Sequence, residues 1–203
     1  MDFELNEEQK LIKEAASNFA NQVLLPTILE RDETQTFPTQ EIKQLAELGF
    51  MGMMVDPIYD GSGLDTLSYV LAMEELSKID AAASVIMSVN NSLVCWGLEK
   101  YGSSQQKEKY LPDLCNGEKI GAFCLSEPEA GSDATSQKTR AVKKGDYYEI
   151  TGTKNWITNG SSASIYLVIA QTDPSKGHKG ISAFIVEKDT PGFKLGKKED
   201  KMG

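Results

Sequence analysis

Two segments of the 203-residue chain hold residue types suited to binding chemistry. The first is Ala122-Phe123-Cys124-Leu125-Ser126-Glu127-Pro128-Glu129-Ala130-Gly131-Ser132-Asp133, a strand-like stretch running straight into small residues. A loop of that kind lets backbone N–H groups come close to a phosphate and point at it. The hydroxyls of Ser126 and Ser132 add donors. The second is Gly152-Thr153-Lys154-Asn155-Trp156-Ile157-Thr158-Asn159-Gly160, with Trp and Thr together at a strand–turn junction. That combination suits a flat aromatic ligand, with a ring to pack against and a hydroxyl to bond its edge. Each pattern alone also fits a plainer reading: an ordinary strand-to-turn junction, and a half-buried core Trp.

Other catalytic patterns are missing. There is no G-x-x-x-x-G-K-[ST] loop, and Gly61-Ser62-Gly63-Leu64-Asp65-Thr66 lacks the third glycine of a dinucleotide fingerprint. It also follows Pro57 and Tyr59 instead of a strand, so it reads as a plain turn. The single histidine, His178, lies in a polar loop with no neighbour to hold its tautomer, and reads as a surface residue. No G-x-S-x-G elbow exists. Cys95, Cys115 and Cys124 are odd in number and match no metal or redox spacing, so no metal site and no disulfide framework is expected. A reducing compartment follows, and the sequons at Asn90 and Asn159 carry no weight there.

The elements that must position the two segments fall into two kinds. Asn6-Glu7-Glu8-Gln9 has the form of a capping box, and the pairs Leu11/Ile12, Ala15/Ala16, Phe19/Ala20 and Val23/Leu24 recur every four residues as one apolar helix face. Pro26 should kink or end that helix. A second helix is predicted from Thr39 to Leu48, stopped by Gly49. A third follows Gly63, with Leu67, Val70, Leu71 and Leu76 inward. Ala81 to Lys100 is apolar nearly all round and should run through the middle of the bundle. A last short helix runs from Ser104 to Cys115, stopped by Gly117. Beyond Lys119 come runs rich in β-branched and aromatic residues: Ile120–Leu125, Tyr147–Thr151, Ile165–Gln171 and Ile181–Glu187. Gly145-Asp146, Asn159-Gly160 and Asp173-Pro174 supply turns. Helices followed by antiparallel strands make an α+β chain, divided into a helical domain, 1–117, and a β domain, 118–203. The closing run Leu195 to Gly203 has no cap or return strand, and the β layer reads as cut short.

Composition narrows the class. Lys+Arg 21 against Asp+Glu 30 leaves a net charge of −9, with 40% hydrophobic residues. Enough apolar surface exists to offset the entropy of ordering the chain. An acidic chain without a basic stripe is no candidate for nucleic acid. Polar residues interrupt the longest apolar stretch, so it reads as a buried helix and no membrane span is expected. The acidic N-terminus is unlike a secretory or transit peptide, which places the protein in the cytoplasm.

Taken in order, the motifs resemble those of the acyl-CoA dehydrogenases, flavoenzymes that desaturate acyl-CoA thioesters. The resemblance spans the chain: Leu5-x-x-Glu8-Gln9; Glu47-Leu48-Gly49-Phe50-Met51-Gly52; Tyr101-Gly102-Ser103-x-x-Gln106-Lys107-x-Lys109-Tyr110-Leu111-Pro112; Leu125-Ser126-Glu127-Pro128-x-Ala130-Gly131-Ser132-Asp133; and Gly152-x-Lys154-x-Trp156-Ile157-Thr158-Asn159. The short-chain, butyryl-type branch is the most similar. The resemblance implies the family's N-terminal helical and middle β domains, with FAD as cofactor. It implies that Phe123, Leu125 and Ser126 meet the flavin ring, partly through main-chain hydrogen bonds. Gly131 and Ser132 would approach the FAD pyrophosphate, Ser132 also lying near the CoA end of the substrate. Trp156, Ile157 and Thr158 would line the opposite side, the Trp on the ring face and the Thr hydroxyl near N5. Glu129 stands where many relatives have Gly, and its carboxylate should face solvent, away from a pyrophosphate.

The resemblance also implies acyl-CoA as substrate, fatty-acid β-oxidation as setting, electron-transferring flavoprotein as acceptor, and a homo-oligomer, tetramer or dimer. The family's catalytic base is a carboxylate in a C-terminal helical domain, beyond residue 203. Glu127 is set aside as a substitute because it sits on the motif's structural turn. Residues 1–203 alone are therefore expected to be inactive. Two other readings are a flavin monooxygenase of the same fold and a non-catalytic interaction module.

Overall fold

Asn6 starts the first helix as its sequence asks. In the computed structural model, Asn6 Oδ1 accepts from the Gln9 amide at 2.8 Å and Gln9 Oε1 accepts from the Asn6 amide at 3.1 Å, closing a capping box. The structure describes residues 4–199, which divide after Ile120 into two compact units. Residues 200–203 of the closing run and residues 1–3 of the N-terminus lie outside the described residues.

In the first unit α1 (Glu7–Phe19) continues as a wider π-helical turn, Ala20–Leu24. Pro26 follows, and the chain restarts as α2 (Ile28–Thr34). The sequence pattern did not reveal α2 because it buries no residue; it is held instead by Arg31, whose Nη1 lies 2.8 Å from Asp80 Oδ2. Helix α3 (Thr39–Glu47) ends before Gly49, at φ 77°. On α4 (Thr66–Ile79) one expectation is corrected. Leu71 and Leu76 are buried, but Leu67 and Val70 are 46% and 51% exposed. The inward face is Ser68, Tyr69, Leu71, Ala72, Glu75 and Leu76, and at about 100° per residue Leu67 and Val70 fall outside it.

Helices α5 (Ala81–Ser88) and α6 (Trp96–Tyr101) are joined by a π-helical segment, Val89–Cys95, into one 21-residue helix. Its length and composition would allow it to cross a bilayer, yet its polar residues tie it to the bundle. Asn90 Nδ2 donates to the Met51 and Leu114 carbonyls at 2.9 and 3.0 Å. Asn91 Nδ2 donates to Phe50 O at 2.8 Å, and Asn91 Oδ1 accepts from the Met53 amide at 2.7 Å. The helix is not buried all round as expected, since Val85, Leu93 and Trp96 are exposed. Helix α7 (Ser104–Cys115) opens with a second capping box, Ser103 with Gln106.

The second unit is one five-stranded sheet: β1 (Gly121–Cys124), β2 (Arg140–Lys144), β3 (Tyr147–Thr151), β4 (Ile165–Gln171) and β5 (Ile181–Glu187). The α+β class holds, but the sheet is mixed. Pairs β2–β3 and β4–β5 are antiparallel, whereas β1 and β2 each run parallel to β4. A parallel pair needs a long crossover, and the segment between β1 and β4, carrying the β2–β3 hairpin, provides one. The unbroken apolar run Ile165–Ala170 suits a strand covered on both faces. Strand β2 escaped sequence reading because only Ala141 of its five residues is buried. Ala122, Cys124, Ala163, Tyr166 and Val168 form the core, with Ile150, Ile157, Val186 and Phe193 packed against it.

Candidate functional site

Strand β1 delivers the first segment. Beyond Cys124 the backbone closes on itself, Glu127 N donating to Ala130 O at 3.0 Å and Ala130 N to Glu127 O at 3.2 Å. Gly131, Ser132 and Asp133 emerge exposed from this small loop. A Cβ added at Gly131 would meet nothing within 4 Å, so its backbone is open to approach. Asp133 is turned to its own loop, accepting from Thr135 Oγ1 at 2.6 Å and from the Ser136 hydroxyl, and these bonds hold its carboxyl below the ordinary range. Glu129 is exposed and paired with Lys138, so its carboxylate faces solvent as expected.

The second segment leaves β3 through Gly152. That residue must be glycine for packing, because a Cβ there would lie 2.2 Å from Thr139 Oγ1. Trp156 then takes φ 59° and Asn159 φ 65°. A left-handed backbone is unusual for any side chain and costly for a bulky one, and such strain clusters at functional sites. Trp156 is 63% exposed, so the alternative of a half-buried core Trp does not hold. Asn159 anchors the far end of the turn, its Nδ2 donating to Gly121 O at 3.0 Å while its backbone carbonyl accepts from Ala163 N at 2.7 Å.

The two segments meet directly. Asn155 N donates to Ser126 O at 2.8 Å. Beside it Lys154 Nζ donates to Leu125 O at 2.9 Å, Glu127 Oε1 at 2.7 Å and Gln137 Oε1 at 3.1 Å. Glu127 also accepts from the Lys138 amide at 2.5 Å and the Thr139 amide at 3.0 Å. Burial alone would raise the Glu127 carboxyl; the bonds from Lys154, Thr139 and Lys138 outweigh it and hold the group at about 2. A carboxylate so engaged is a poor proton acceptor, in accord with setting Glu127 aside as a base. Burial pushes the Cys124 thiol up to about 12, which makes it inert as a nucleophile.

Of the residues singled out by sequence, Leu125 and Ser126 are thus joined to the Trp156–Thr158 turn, with Ile157 and Thr158 half-buried beside it. Phe123 is half-buried on β1. Gly131 and Ser132 stand on the exposed stretch beyond the Glu127–Ala130 loop. Sequence reasoning placed Asn159 in a turn but assigned no positioning role to it, to Lys154 or to Asn155; the place of Lys154 within the Gly152-x-Lys154-x-Trp156 motif was the available signal for the lysine. The arrangement offers an aromatic face, hydroxyls at Ser126 and Thr158, and an open glycine–serine backbone. Those features are of the kinds that a planar heteroaromatic group with a phosphate arm would use.

Residues 6–118 match the acyl-CoA dehydrogenase N-terminal domain and residues 122–203 the acyl-CoA dehydrogenase middle domain. The chain is 46% identical over 203 residues to the short-chain-specific acyl-CoA dehydrogenase of Clostridium acetobutylicum, covering 100% of this chain and 54% of that one. Butyryl-CoA dehydrogenase from Megasphaera elsdenii has a structure similar at TM-score 0.96 and 46% identity, over 100% of this chain and 54% of that one. A chain in the structure of the electron-transferring flavoprotein of Acidaminococcus fermentans is similar at TM-score 0.97 and 49% identity, over 100% and 53%. The chain therefore spans about half the length of the relatives it matches. With the N-terminal and middle domain matches following in sequence order, and both candidate segments inside the middle one, the chain belongs to the acyl-CoA dehydrogenase family.

Proposed function

We propose that this chain forms the ring- and pyrophosphate-binding part of an FAD-dependent acyl-CoA dehydrogenase acting on short-chain thioesters. The observation that carries the proposal is the exposed Trp156 on a strained turn, bonded through Asn155 to the backbone of Ser126. Trp156 would offer its ring face to the flavin and Thr158 a hydroxyl to its edge. Phe123, Leu125, Ser126 and Ile157 would line the ring system. Gly131 and Ser132 would take the pyrophosphate on open backbone, with Ser132 also toward the CoA end of the substrate. When bound, FAD supplies the two-electron acceptor for α,β-desaturation.

This chain's share of that chemistry is binding and orientation. Glu127 is committed to its bonds, and the α-proton acceptor is assigned to a carboxylate outside residues 1–203. Similarity to the short-chain and butyryl enzymes supports the substrate class. Electrons would pass to an electron-transferring flavoprotein, and the whole protein would work in the cytoplasm as a homo-oligomer, a dimer or tetramer. The test is to express the natural reading frame that carries these residues, record its flavin spectrum and assay butyryl-CoA with an artificial acceptor. A yellow protein that forms the 2-enoyl thioester is expected. A colourless protein, or a flavoprotein that leaves every saturated acyl-CoA unchanged, overturns the reading.

A further inference from the structure

We propose that Lys154 and Glu127 are a positioning pair for the ring-binding site, holding the Leu125–Ser126 backbone and the Trp156 turn in one fixed relation. The proposal rests on the flavin reading above for its consequence, though its structural half can be tested without flavin.

The pair is nearly buried, with side-chain exposures of 10% for Lys154 and 5% for Glu127. An ammonium has three donors, and Lys154 has three acceptors: Leu125 O, Glu127 Oε1 and Gln137 Oε1. Glu127 meets the ammonium and the amides of Lys138 and Thr139. Removing two charges from water is costly, and an apolar pair of equal volume is often as stable. The pair is therefore better explained by what it fixes than by what it stabilises.

What it fixes is specific. Lys154 takes the carbonyl of Leu125, and its chain neighbour Asn155 takes the carbonyl of Ser126. Both carbonyls after β1 are thereby turned to the 152–160 turn, and the Ser126 hydroxyl is left for a ligand. The same two contacts lie immediately before Trp156, whose φ of 59° must be imposed by its surroundings. Glu127 closes the device by fastening the ammonium to the loop that leads to Gly131. One ion pair thus sets the distance between the Trp156 turn and the Leu125–Ser126 backbone.

The test has two arms. In residues 1–203, amide hydrogen exchange is compared for the parent chain, Lys154→Met, Lys154→Arg and the double variant Lys154→Met/Glu127→Leu. Lys154→Met is expected to speed exchange at Asn155 and Thr139 by more than about 100-fold, because an unpaired carboxylate remains buried. Strands β4 and β5 should keep their protection, and Lys154→Arg should restore most of it at Asn155. The double variant leaves no charge unpaired, so it should fold even where the single one does not, and still exchange fast at Asn155. Unchanged exchange at Asn155 and Thr139 overturns the proposal, as does a loss spread evenly over the whole sheet. In the second arm the flavin potential and absorbance maximum of the full-length protein are measured. Both should shift in Lys154→Met and return in Lys154→Arg; parent-like values in Lys154→Met overturn the positioning role. A parent protein that binds no flavin defeats the cofactor reading, while the exchange arm still decides whether the pair holds the turn.

Discussion

Glu127→Gln tests the electrostatics of the site in quantitative terms. The folded carboxyl is held at about 2 against an ordinary value of 4.5. A group whose folded value is depressed contributes stability that is present above its unfolded value and lost as pH falls toward the folded one. At roughly 1.4 kcal/mol per pH unit, the ionised form therefore stabilises the β unit by about 3 kcal/mol at neutral pH. That stability should drain away between pH 4.5 and pH 2. Glutamine has the same shape but cannot ionise. The stability difference between parent and Glu127→Gln should therefore shrink by about 3 kcal/mol from pH 6 to pH 2, whatever constant offset the amide introduces. The chain has two tryptophans, Trp96 in the helical unit and Trp156 in the β unit. A Trp96→Phe background makes the fluorescence of Trp156 the reporter of the β unit, and urea titrations at each pH supply the free energies. Parallel stability curves for the two proteins across this window would refute the claim that Glu127 is ionised and satisfied in the folded state.

Four further outcomes are expected. In the full-length protein Trp156→Ala should weaken FAD retention more than Thr158→Ala, since it removes a large packing surface, whereas Thr158→Ala should shift the flavin spectrum with a net loss of about 0.5–1.5 kcal/mol; full occupancy and an unchanged spectrum in both variants contradict the assignment. On the proposed function, residues 1–203 alone should elute colourless from gel filtration and leave butyryl-CoA unoxidised, because they would bury only part of the ligand and the base assigned outside them would be lacking, a loss on the order of 10²–10⁴-fold; bound FAD or turnover contradicts that assignment. Gly131→Ala, with nothing within 4 Å of its new Cβ, should change stability by less than about 0.5 kcal/mol yet weaken FAD binding. Gly152→Ala, 2.7 Å from the Thr139 Cα, should cost the β unit about 1–3 kcal/mol, read as a lower urea midpoint; equal stability of the two glycine variants contradicts the packing argument.

Local chemistry was legible in the sequence. The box Asn6–Gln9 could be read directly, because donor and acceptor lie three residues apart, whereas the second box, Ser103 with Gln106, became visible only in the structure. The two candidate segments were singled out for a similar reason, since small residues, a Trp and hydroxyls carry their chemistry with them, and the structure joins them through Asn155 N and Ser126 O. Direction and exposure were not legible. Leu67 and Val70 share the composition of a core face, but which side of α4 turns inward depends on the helices packed against it. The apolar run of β4 states that both its faces are covered, and not that β1 and β2 run parallel to it. Trp156 would be as hydrophobic in a core as on the strained turn that exposes it. The union of Lys154 with Glu127 spans 27 residues of chain, and only the fold buries the two side chains against each other. Sequence determined which chemical groups each segment carries. Only the fold decided which groups face one another, because that choice is made by contacts between residues far apart in the chain.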